Sequence, residues 1–125
     1  MSAPGRSKTG RCRAPWFRCS LSAAVTWVFL GGCVDSTSLP LHYAEALCSR
    51  VESCDPERFG ETWVDYEACV AETGAVQEAL ASELEDCDYD PWLAGRCVRG
   101  LRRTACEVLD EAPWEESCDG IWTCE

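Results

Sequence analysis

Leu41, Ala44, Leu47, Cys48 and Val51 recur every three or four residues, which is the spacing of one face of an α-helix. Ser38 stands ahead of them as an N-cap and Pro40 suits a first turn, so the pattern predicts a helix to about Cys54, broken by Asp55-Pro56. Thr62 with Asp65 has the form of a capping box and predicts a second helix through Trp63, Tyr66, Cys69 and Val70, ending near Gly74. A third predicted helix, 75–86, carries Val76, Ala79, Leu80 and Leu84 on one face. Asp90-Pro91 pairs a cap with a proline at the first helical position and opens a fourth. Leu93, Cys97 and Leu101 line that helix, with Ala94, Val98 and Ala105 beside them. The sequence has no alternating β-branched run, so the expectation is a mainly α domain of about four short helices without strands. Residues 107–125 read as an irregular tail.

Residues 1–32 follow a different pattern. They hold Arg6, Lys8, Arg11, Arg13 and Arg18 and no acidic residue, followed by Leu21–Leu30, apolar or small except for Ser22 and Thr26. A run of this length suits the apolar region of an export signal, whereas a bilayer-spanning helix needs ~20 residues. No twin-arginine pair occurs there, which favours general export. Leu30-Gly31-Gly32-Cys33 resembles the lipobox of bacterial lipoproteins. The resemblance implies that Cys33 becomes the first residue of the mature chain, with a diacylglyceryl group on its sulfur and a further acyl chain on its amine. Each buried methylene is worth about 0.8 kcal/mol, so several chains anchor stably. By the sorting rule of such lipoproteins, Val34 after the cysteine implies the outer membrane, with Asp35 one place too late to retain the chain at the inner one. An ordinary cleaved signal peptide and a short retained anchor are the competing readings. The chain then divides into a signal (1–32), a lipidated tether (33–38) and a cysteine-rich helical domain (39–125).

Eleven cysteines are present. Cys12 and Cys19 leave with the signal and Cys33 takes lipid, which leaves Cys48, Cys54, Cys69, Cys87, Cys97, Cys106, Cys118 and Cys124. An even set in a small exported domain implies a disulfide framework, and a core of this size is marginal without one. The parity holds only if Cys33 is not a partner. Metal is the rival reading, but the short Cys-x2-4-Cys knuckles of zinc sites are missing, as is any Cys-x-x-Cys. Cys48 and Cys54 lie about 9 Å apart along a continuous helix, and Cys97 and Cys106 about 13 Å. Disulfide Cα atoms lie within about 7 Å, so each must reach another element. One of Cys97 and Cys106 is expected to bind the second or third helix and the other the tail. The remaining connectivity stays open.

All 22 acidic residues lie after the signal, against six arginines and no lysine. This balance disfavours nucleic acid, whose phosphates need a basic surface, and disfavours attraction to anionic head groups. It reads first as a solvated surface that limits association. Asp86, Asp88 and Asp90 alternate around Cys87, but no EF-hand pattern surrounds them, and Asp90 is better explained as a cap. Arg99, Arg102 and Arg103 form a basic cluster at helical spacing, suited to a carboxylate or phosphate or to ordinary pairing with glutamates. Trp63, Trp92, Trp114, Trp122 and Tyr66 are many bulky aromatics for so short a domain. Most are expected to fill a thin core, with Trp114 and Trp122 in the tail the candidate interaction anchors. His42 is the single histidine, and nucleophile elbows, zinc-protease and phosphate-loop motifs do not occur. The expectation is therefore no catalytic site, no cofactor and no metal.

Leu-Gly-Gly-Cys at 30–33, Cys54-Asp55-Pro56 before Phe59-Gly60, Cys69, Asp88-Tyr89-Asp90 after Cys87, and Cys97 and Cys106 about an arginine-bearing helix together resemble the small cysteine-rich lipoproteins of myxobacterial-type bacteria. The resemblance covers most of the chain and implies a fold and an envelope location, with no assigned activity. The functional expectation is a membrane-anchored, non-catalytic binding module with an envelope protein or external ligand as partner. The alternatives are a small redox or metal-dependent envelope enzyme and an abundant structural coat lipoprotein.

Overall fold

A computed structural model describes residues 32–125. The signal segment, apart from Gly32, lies outside the described residues. Helix α1 (Leu39–Cys54) runs as its periodicity predicts. Ser38 occupies the N-cap without a side-chain bond, and the capping oxygen comes from three residues earlier. Asp35 Oδ1 accepts from the Ser38 amide and the Thr37 hydroxyl, both at 2.8 Å. The Thr37 hydroxyl, then the Ser38 bonds, hold the Asp35 carboxyl below the usual carboxylate range.

Asp55-Pro56 ends α1 and also opens α2 (Pro56–Thr62), because an Asp cap followed by proline is equally a start signal. The Asp55 carboxylate accepts from the Arg58 amide at 3.1 Å, and Phe59 is the one residue α2 buries. The two helices expected over 62–74 and 75–86 are one, α3 (Tyr66–Glu83), capped by Asp65 through the Ala68 amide. Gly74 does not end it. A Cβ at position 74 would meet the Ala44 methyl at 3.9 Å, an ordinary contact, so the position faces α1. The expected apolar face of the third helix is not a core face: Val76 is 61% exposed and Leu80 46%. Helix α3 packs chiefly on α1.

The second half of the domain departs from the all-helix expectation. Two short strands, β1 (Asp88–Tyr89) and β2 (Trp122–Thr123), pair antiparallel, with Tyr89 opposite Trp122. Their rings lie 4.7 Å apart, and the Cys87–Cys124 disulfide closes the pair from the flank. This constraint replaces the β-branched run that a free-standing hairpin would need. Helix α4 (Pro91–Arg102) starts at Asp90, which is 5% exposed and accepts from the Trp92 and Leu93 amides. It ends before Cys106, so Ala105 and Cys106 lie off it. Cys106 instead opens a 3-10 helix (Cys106–Glu111), followed by the single turn α5 (Glu115–Cys118).

Cys48–Cys69 joins α1 to α3, Cys54–Cys106 joins the end of α1 to the 3-10 helix, and Cys97–Cys118 joins α4 to α5. Cys97 thus reaches the tail, while Cys106 reaches the first helix rather than the second or third. The main core gathers Leu39, Ala46, Ala94, Cys97, Val98, Leu101, Trp114 and Ile121. A smaller core forms around Cys48, Cys69 and Phe59. Residues 33–38 do not hang free as a tether. The Val34 amide donates to the Pro91 carbonyl at 3.1 Å, its carbonyl accepts from the Tyr89 hydroxyl, and its side chain packs on the main core.

Candidate functional site

Helix α1 carries Leu39 and Ala46 into the core, with Tyr43 between them. The next residue along that stripe is Arg50, at i+4 from Ala46. A guanidinium there needs polar partners, and it finds some of them. Arg50 Nη2 donates to the Thr104 carbonyl at 2.6 Å and approaches the sulfurs of Cys54 and Cys106 at 3.4 and 3.6 Å. Arg50 Nε is buried and has no partner. Arg50, Glu45, Ala46 and Ser49 of α1 form one wall of a cleft of about 410 Å³, closed by Tyr66 of α3 and Arg102 of α4. The Tyr66 hydroxyl donates to the Glu45 carbonyl at 3.3 Å. Desolvation raises the Tyr66 pKa, Glu45 and Glu52 add to the shift, and Arg102 opposes it.

The expected basic cluster divides. Arg102 turns to this cleft, whereas Arg99 lies 5.5 Å over the Trp92 ring and donates to the Gly32 carbonyl at 3.4 Å. Arg103 caps the end of α4 and is exposed. Three residues spaced along one helix therefore face three different surroundings. The tail tryptophans also depart from expectation. Trp114 is 7% exposed, sits in the main core and donates its indole N–H to the Tyr43 hydroxyl at 3.2 Å. Trp122 is half-buried against Tyr89. The Cys97–Cys118 and Cys87–Cys124 bonds draw the tail inward, so Trp114 fills the core rather than offering an anchor. Exposed apolar surface lies instead at Leu41, Val64, Val76 and Leu80.

His42 lies 4.0 Å from Glu45 on the surface of α1. Asp88 lies in the strand pair with its side chain exposed, whereas the Asp90 carboxylate caps α4. Among the described residues, no three His, Cys, Asp or Glu side chains are grouped to hold a metal ion. No helix among them is long and apolar enough to cross a membrane. Cys33 is itself disulfide-bonded in the structure, while the eight later cysteines pair entirely among themselves. Arg50 lies on the Leu39–Tyr43–Ala46 side of α1, not on the face that the sequence pattern marks as apolar. Its convergence with Tyr66 and Arg102 was not legible, because three separate helices bring them together. Comparison with protein-family models, curated proteins and solved structures gives no match.

Proposed function

We propose that this chain is a cell-envelope lipoprotein, anchored through Cys33 at the outer membrane, whose stapled helical domain is a non-catalytic binding module for an envelope component or external ligand. One observation carries the reading. The eight cysteines from Cys48 to Cys124 form a closed set of four bonds that does not draw on Cys33. That is the parity a lipidated cysteine requires. A thioether and a disulfide compete for the one Cys33 sulfur, and removal of the signal removes any partner within it. Docking of Val34 on Tyr89 and Pro91 would then hold the domain against the bilayer rather than on a flexible stalk. The four bonds also leave none of the eight as a thiolate, which weighs against a redox enzyme.

Intact mass of the protein from native membranes tests this, with thiol alkylation before and after reduction. The expected mass begins at Cys33 plus three acyl chains, with eight thiols appearing only on reduction. An unlipidated Cys33 kept in a disulfide would sink the anchor. The binding role is tested by cross-linking in intact envelopes, where a saturable partner is expected. High copy number without any partner would favour the structural coat reading instead.

A further inference from the structure

We infer that the cleft between α1, α3 and α4 takes a small zwitterion, a carboxylate with a nearby protonated amine, as in an amino acid or a peptide end. This deepens the binding-module reading and does not depend on the lipid anchor. Arg50 and Arg102 both line the cleft, in a domain with few other cations. Among the described residues Arg102 makes no ion pair, whereas Arg58 is bound to Asp110 at 2.8 Å. Guanidinium forks suit carboxylates, and Ser49 adds a hydroxyl at the same wall.

Glu45 decides between an anion and a zwitterion. It lines the same cleft as the two arginines, with its carboxylate 4.0 Å from His42, and there it would disfavour a phosphate or a bare carboxylate while offering a partner to an ammonium group. The field of the whole domain argues the same way. With 22 acidic residues outside the signal, free anions are repelled on approach, while a net-neutral zwitterion is not.

The test titrates the full exported protein, purified oxidised from native membranes in detergent, by calorimetry. The probes are glycine, glycylglycine, N-acetylglycine and inorganic phosphate. Saturable binding of glycine points to a free amino acid, and of glycylglycine alone to a peptide end; either supports the cleft. Arg102→Gln should weaken that binding about tenfold or more, with the thermal melt unchanged because Arg102 is exposed. Glu45→Gln should remove the preference for glycine over N-acetylglycine. Phosphate binding as tight as glycine would overturn the zwitterion assignment, and so would the absence of saturable binding by any probe. An envelope partner still captured by Arg102→Gln would leave the module reading standing and place its contact away from this cleft.

Discussion

At Gly95 the missing side chain has a consequence that depends on where the mature chain begins. A Cβ there would run into the Gly32 carbonyl, with Arg99 Nη1 next at 3.3 Å. If processing removes residues before Cys33, that obstacle disappears and the next neighbour is the movable end of Arg99. Gly95→Ala should then be neutral or stabilising by up to about 1 kcal/mol, the helix-propensity difference. If Gly32 is retained, the same substitution should cost about 1–3 kcal/mol by overpacking. Denaturant melts of the variant purified from membranes read the sign directly. Tyr89 ties Val34 to the same region, and desolvation, with Asp35 and Asp90 adding to it, raises its pKa. Its neutral form is therefore the one the fold favours. That contribution is complete below pH 10, the ordinary tyrosine value, and is lost as pH climbs through the higher folded-state value. Asp35 acts at the other end, its contribution present above pH 3.8 and lost as pH falls through its lowered value. Tyr89→Phe should cost about 1 kcal/mol at neutral pH and flatten the alkaline limb of a stability–pH profile. An unchanged alkaline limb would assign it to other groups.

Helix α4 depends on its first turn more than its length suggests. Asp90 is buried and holds two amides, so Asp90→Ala should lower unfolding free energy by about 1–2 kcal/mol in equilibrium denaturation. Val76→Lys and Leu80→Lys on α3 should stay within about 0.5 kcal/mol, since both positions already face solvent. The contrast marks what the sequence made legible. Helices α1 and α4 were readable because each has a stop or start signal, although on α1 the expected face is buried only in part: Ala44 and Cys48 are covered, Leu41 is exposed, and Leu39 and Ala46 enter the main core instead. Helix α3 runs through Gly74, where the glycine takes helical backbone geometry inside the element and is not a C-cap. Its later apolar positions keep helical spacing without a partner element, and periodicity alone cannot tell a covered face from an uncovered one. The strand pair and the burial of Trp114 were not legible either, because both depend on cysteine connectivity. Of the cleft, Arg102 was singled out for its charge, while Glu45, Arg50 and Tyr66 acquire meaning only from the way α1, α3 and α4 meet.

For the molecule as a whole, the disulfides do two separable jobs. Closing a loop restricts the unfolded chain, and by that account Cys54–Cys106, which spans 52 residues, should contribute about 4 kcal/mol. Cys48–Cys69 spans 21 and should contribute about 3 kcal/mol. Packing reverses the order. Cys48 and Cys69 are fully buried and form the small core with Phe59, whereas Cys106 is exposed. Replacing both Cys48 and Cys69 by alanine removes two core sulfurs besides the cross-link, adding roughly 2 kcal/mol of cavity cost. The Cys48/Cys69 double variant should therefore unfold at lower denaturant than the Cys54/Cys106 one, despite closing the shorter loop. The reverse ranking would mean that chain entropy outweighs packing here, and that the cross-links act mainly on the unfolded state. The expected ranking means instead that the sulfurs serve as core side chains, supplying apolar volume that a domain this small and this acidic draws from few other residues.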